Sequence, residues 1–81
     1  MARISLSSEL KPYTGGETEL QLDIGNVRQL FEVLGERYPD LKRYLETGLA
    51  VAIDGEIYQD ALLQPIGNDS EVLLFGKIEG G

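Results

Sequence analysis

Ile4 and Leu6 alternate with Arg3 and Ser5, the period-two spacing of a strand that buries one face. Pro12-Tyr13-Thr14-Gly15-Gly16 then carries turn chemistry, because glycine takes positive φ at no steric cost. Leu20, Leu22 and Ile24 alternate with Glu19, Gln21 and Asp23, so the two segments predict an amphipathic antiparallel hairpin. After Gly25 the period changes. Val27, Leu30, Phe31, Leu34 and Tyr38 share one helical face, and Arg28, Gln29, Glu32 and Glu36 point away from it. Asn26 can cap this helix, with Gln29 reaching back as in a capping box, and Pro39 stops it by pushing Tyr38 out of the α region. Gly35 inside the helix costs about 1 kcal/mol relative to alanine, and close approach of helix to sheet is the expected return.

Leu41, Tyr44 and Leu45 predict one further helical turn before Gly48. Leu49, Val51 and Ile53 alternate with Ala50 and Ala52, a third strand whose second face carries very small side chains. Asp54-Gly55 is a two-residue hairpin signal leading into a short strand over 56–58. Leu62, Leu63, Pro65 and Ile66 form an apolar connection, and Gly67-Asn68-Asp69-Ser70 a turn. The last strand runs from Glu71 to Phe75, with Val72 and Leu74 on the core side and Leu73 and Phe75 opposite. The order predicts an α+β roll: a mixed sheet of four to five strands with one main helix on one face, and no internal repeat. Ala50, Ala52, Leu73 and Phe75 then fall on the uncovered face, a candidate partner surface centred on Phe75.

The chain has 81 residues, the size of one domain, and buries too little surface to afford a large enclosed active site. It contains no cysteine and no histidine, which removes disulfides, thiolate nucleophiles, imidazole bases and zinc sites built on nitrogen or sulfur. Fourteen acidic residues against seven basic ones give a formal charge of −7, which disfavours nucleic acid and anionic membranes and suits a basic protein partner or simple solubility. The opening MARISLSSEL lacks the basic start and apolar run of a signal peptide, so a cytoplasmic location is expected.

Little catalytic chemistry is available. Gly15-Gly16 belongs to no phosphate-binding fingerprint. Glu17 and Glu19 are expected to be a solvated strand face, not a metal site. Asp54 is accounted for by its turn, not by an acid–base pair with Glu56. Tyr13, Tyr38, Tyr44 and Tyr58 are expected as half-buried packing residues. The most specific signal is the final Gly80-Gly81, which chance supplies in about one chain in two hundred at average glycine usage. A terminal diglycine presents a carboxylate on a backbone able to thread a channel that any Cβ would obstruct. A frayed terminus is the competing explanation.

The strand-strand-helix-strand order, the segments Leu10-Lys11-Pro12-Tyr13-Thr14-Gly15-Gly16 and Val51-Ala52-Ile53-Asp54-Gly55-Glu56, and Gly80-Gly81 together resemble the ThiS/MoaD family of ubiquitin-like β-grasp sulfur carriers over essentially the whole chain. The resemblance implies a β-grasp domain over 1–76, a flexible tail over 77–81, and a protein co-substrate or synthase small subunit instead of an enzyme. It implies no bound cofactor. A ubiquitin-activating-type adenylyltransferase would use ATP and magnesium to activate the Gly81 carboxylate. A sulfur donor would then displace AMP to leave a thiocarboxylate, and a biosynthetic enzyme would accept the sulfur. Carried over by residue, Gly81 is the modified position, Gly80 the threading spacer, and Phe75 with Leu73 the partner-facing strand. Ile78 of the neck, Ala50 and Ala52 are counted with that partner surface. The neck Gly76-Lys77-Ile78-Glu79 departs from the proline-containing stretch common in the family, which leaves the partner open. The Pro12–Gly16 segment leans towards the molybdopterin-type and cysteine-forming carriers over the thiamin type. Two alternatives stand beside the carrier: a modifier joined to lysines through Gly81, and a binding module that uses only the Phe75 face.

Overall fold

The computed structural model describes residues 1–47, 49–59 and 62–76, with the backbone alone at Glu46 and Thr47. Five strands form one sheet in the order β2-β1-β5-β3-β4, where β1 is Ala2–Leu6, β2 Glu19–Leu22, β3 Leu49–Ile53, β4 Glu56–Tyr58 and β5 Glu71–Gly76. β1 and β2 form the predicted antiparallel hairpin, and β5 lies between β1, to which it is parallel, and β3, to which it is antiparallel. The last strand in sequence is therefore the central one in space. Its residues gain hydrogen-bonded neighbours on both sides, which fixes the direction of the strand as far as Gly76.

The predicted helix is α2, Val27–Arg37. Asn26 Oδ1 accepts the Gln29 N–H at 2.8 Å, and Gln29 Oε1 accepts the N–H of Gly25 at 2.7 Å, so the reciprocal bond lands one residue earlier than in a capping box. The Val27 and Arg28 N–H groups, which a helix leaves without internal partners, donate to Gln64 O and Leu62 O. The connection between β4 and β5 thus crosses the start of α2 and buries Ile66 beneath it, while Leu62 and Leu63 stay exposed. Pro39–Leu41 forms a 3-10 turn and α3 follows over Lys42–Thr47, as the Leu41/Tyr44/Leu45 spacing anticipates.

Three local expectations are corrected. The Pro12–Gly16 turn is the end of a longer device: a 3-10 turn at Ser8–Leu10 and a single helical turn α1, Lys11–Thr14. Pro12 is tolerated in that first turn because its missing N–H has no helical partner to lose, and Gly15 at φ 68° ends it in the left-handed region. Gly35 does not bring α2 close to the sheet. A Cβ there would meet Lys42 Cγ at 3.7 Å and Leu45 Cδ1 at 3.8 Å, ordinary contacts with α3. Tyr44 is exposed, its ring lying against Tyr13 with centroids 4.6 Å apart and the hydroxyls hydrogen-bonded at 2.7 Å; Tyr13, Tyr38 and Tyr58 do pack as half-buried or buried groups.

The core joins Ile4, Leu20, Leu22, Val51, Val72 and Leu74 of the sheet to Leu10, Leu30, Leu34, Leu41 and Leu45 of the helices and turns. One sheet face is covered. Asp54 (φ 49°) and Gly55 (φ 90°) are both in the left-handed region, the requirement of a tight hairpin turn, and they set the register Ile53↔Glu56 and Ala52↔Ile57. Asp54 does more than turn: its carboxylate accepts the Glu71 N–H and the Ser70 hydroxyl, both at 2.9 Å, tying the hairpin to the start of β5.

Candidate functional site: the outward face and end of the last strand

Alternation along β5 sends Val72 and Leu74 into the core and Glu71, Leu73 and Phe75 to the other face. Ladder register then places Ser5 and Ala52 beside Leu73, and Ala50 beside Phe75. Since Ile57 pairs with Ala52, it shares that face. Leu73 is 41% and Ile57 60% exposed, Phe75 and Ala52 are half-buried, and together they form an apolar strip across β5, β3 and β4. Towards β1 and β2 the same face turns polar, with Arg3, Ser5, Glu19, Gln21 and Glu71. Arg3 and Glu71, opposite one another, form an ion pair at 2.5 Å.

Ala50 requires a correction. It lies on the outward face, outside the core cluster, yet its exposure is 0%, so it is a floor beneath its neighbours and offers no surface of its own. A methyl group is short enough to be closed over by the residues around it, and Phe75 sits directly across the ladder. Ile57 is the exposed member that sequence reading passes over. The signal was present, because a two-residue Asp54-Gly55 turn fixes Ile57 opposite Ala52.

At its far end β5 is held from both sides. Gly76 pairs with Leu49 of β3, and its N–H donates to Glu9 Oε1 at 2.6 Å. Ser7 Oγ donates to the same oxygen at 3.0 Å, and the Ser7 N–H donates to Leu74 O at 2.9 Å. The Gly76 N–H, with the Ser7 hydroxyl second, holds the Glu9 carboxyl below its ordinary value by stabilising the charged form. Ile78, Gly80 and Gly81, and with them the tail over 77–81, lie outside the described residues.

Glu17, read from the sequence as part of a solvated strand face, is engaged in structure. Glu17 precedes β2, accepts the Tyr38 hydroxyl at 2.9 Å and lies 3.8 Å from the Arg37 guanidinium. Among the described residues no group of three or more potential ligands could hold a metal ion, and no helix is long and apolar enough to cross a membrane.

This geometry, a helix-covered mixed sheet whose central strand ends at Gly76, is the setting for comparison with known proteins. The model of the ThiS family matches residues 4–81. The chain belongs to the ThiS family. Solved structures share its β-grasp, ubiquitin-like fold. A chain of the Amycolatopsis orientalis BexX/CysO complex superposes with a TM-score of 0.80 at 17% identity, covering 100% of both chains. Haloferax volcanii small archaeal modifier protein 1 gives 0.75 at 21% identity over 99% of this chain and 98% of that one. A chain from the complex of subunits 1 and 2 of the Helicobacter pylori molybdopterin-converting factor gives 0.70 at 19%, over 99% and 97%. A search of curated proteins finds no match. Two of these neighbours come from complexes with other proteins.

Proposed function

We propose that this ThiS-family protein is a sulfur carrier whose Gly81 carboxylate is activated and thiolated by partner enzymes. The observation that carries the reading is the family match through Gly81 on a domain whose central strand ends at Gly76. A carboxylate is a poor electrophile, so the chemistry begins with a leaving group. On a ubiquitin-activating-type adenylyltransferase, with ATP and magnesium, a Gly81 oxygen attacks the α-phosphorus, and pyrophosphate departs with the electrons of the broken phosphoanhydride bond. A persulfide sulfur then attacks the acyl carbon and AMP leaves. A thiol cleaves the resulting acyl disulfide, takes up the outer thiol part as a mixed disulfide and frees the thiocarboxylate. Sulfur rides on the backbone terminus, so a chain without cysteine can carry it. Gly80 keeps the last residues narrow enough to thread the activating channel. Leu73, Phe75, Ala52 and Ile57 supply the docking strip, with Ala50 as its floor, and the family resemblance counts Ile78 with them. An acceptor of the molybdopterin-synthase type is the first to test, on the strength of the Pro12–Gly16 segment.

Intact mass after incubation with ATP, magnesium, an activating enzyme and a sulfur donor tests the reading. A gain equal to exchanging one oxygen for sulfur, localised to Gly81 and lost on deletion of Gly81, is expected. Lysine-linked adducts in place of that gain would make the protein a modifier. An unchanged mass beside a thiolated control carrier would refute both and leave a binding module.

A further inference from the structure

The carboxylate of Glu9 completes the ladder where β1 leaves it. β5 runs beside β1 as far as the pair Leu6↔Leu74, and the Ser7 N–H still reaches Leu74 O. Beyond Ser7 the first strand turns away into the Ser8–Leu10 turn, while β5 continues to Gly76. The Gly76 N–H on that side donates to Glu9 Oε1 at 2.6 Å, a charge-assisted bond in the position a strand carbonyl would occupy. Glu9 is aimed by the Ser7 hydroxyl. Space as well as bonding links the two residues. A Cβ on Gly76 would sit 2.9 Å from Glu9 Oε1 and 3.2 Å from its Cδ, so this glycine is explained by the clasp and not by a left-handed φ.

We propose that Glu9 is a positioning residue for the chemistry at Gly81: by clasping the Gly76 N–H it fixes the point from which the tail departs. The inference rests on the carrier reading above. A terminus that must enter another enzyme's site works at an effective concentration set by the length and freedom of its tether. With the clasp, the order of β5 extends to Gly76. Without it, the end of β5 keeps only its β3 side, and its ordering has to be supplied on docking. Glu9 acts through Gly76.

The test is the pyrophosphate-exchange reaction of the full-length protein with a ubiquitin-activating-type adenylyltransferase, alongside amide hydrogen exchange at Gly76. Glu9→Ala is expected to raise the KM for the protein about five- to thirty-fold with kcat nearly unchanged, the range of re-ordering one backbone residue. Glu9→Gln keeps the acceptor oxygen and is expected to restore KM to within about twofold of the natural chain. Gly76→Ala, which displaces the carboxylate, repeats the defect, and combining it with Glu9→Ala adds little because both break one contact. Gly76 amide exchange accelerates in Glu9→Ala and not in Glu9→Gln. An unchanged KM or unchanged amide protection in Glu9→Ala overturns the proposal, as does a Glu9→Gln variant as impaired as Glu9→Ala. If the unaltered protein supports no exchange beside a control carrier that does, the carrier reading itself fails, and that control tells the two failures apart.

Discussion

The two faces of the sheet are built from the same strands and have opposite fates. On the covered face Ile4, Val72 and Leu74 are almost wholly removed from water by α2 and the turns around it. On the other, Leu73 and Ile57 stay exposed, and only the small Ala50 is fully enclosed. β5 contributes to both, residue by residue. Because side chains alternate, this one strand turns Val72 and Leu74 into the core and Leu73 and Phe75 to the open face, where the proposed docking strip lies. A difference of one position in sequence should therefore separate a folding defect from a binding defect.

The sharpest way to break that contrast is to compare neighbours. Leu74→Ala removes a fully buried side chain and should cost about 2–5 kcal/mol, read as a lower denaturant midpoint. Leu73→Asp, on the open face, should change stability by no more than about 0.5 kcal/mol. The same substitution should weaken docking to the activating enzyme by roughly tenfold or more, and Ile57→Asp should follow it. Equal unfolding by Leu73→Asp and Leu74→Ala would mean that the outward strip is structural. Undiminished docking of Leu73→Asp would remove the strip as a partner surface.

Alternation is also why the covered face was legible in the sequence. The β1/β2 hairpin, α2 with its Asn26 cap, the Asp54-Gly55 turn and the inward Val72 and Leu74 all follow from local spacing and turn chemistry. The family was legible for the same reason, since its fold is that order of strands and helix. Contacts that bridge distant parts of the chain were not. Nothing near Glu9 in sequence points to Gly76, and nothing near Leu62 or Gln64 says that their carbonyls will meet the first N–H groups of α2. Ala50 was assigned to the right face, but its burial depends on what closes over a methyl group, which no periodicity encodes. Ile57 could have been placed from the hairpin register alone.

Gly35 is a smaller test on the covered side. Its conformation is helical and a Cβ would find only ordinary contacts with Lys42 and Leu45, so nothing there demands glycine. Gly35→Ala should stabilise the domain by about 1 kcal/mol through helix propensity, with docking unchanged. Thermal unfolding measures it, and a loss of stability would show that the contacts with Lys42 and Leu45 are tighter than separations of 3.7 and 3.8 Å imply.

The smallest effect expected is on pH dependence, and it sharpens the comparison because its groups lie at the ends of β5. Asp54, through the Glu71 N–H and then the Ser70 hydroxyl, and Glu9, through the Gly76 N–H and then the Ser7 hydroxyl, are both held below their ordinary values of 3.8 and 4.5. A carboxyl whose pKa is lower in the folded state contributes stability that is present above the unfolded value and lost as pH falls through the folded one. Stability should therefore be level from neutral pH down to about 4.5 and decline below it as these groups take up protons. At the other extreme the phenols of Tyr13, hydrogen-bonded to Tyr44, Tyr38, shielded by burial, and Tyr58, hydrogen-bonded to Glu56, are raised above 10.0, and what they contribute is lost as pH rises past that value. Asp54→Asn should flatten the acid limb of a stability–pH curve and leave the alkaline limb alone, whereas Tyr38→Phe should do the reverse. An acid limb unchanged in Asp54→Asn would mean that the start of β5 is held by its backbone ladder alone, and that the carboxylate beside it is a bystander.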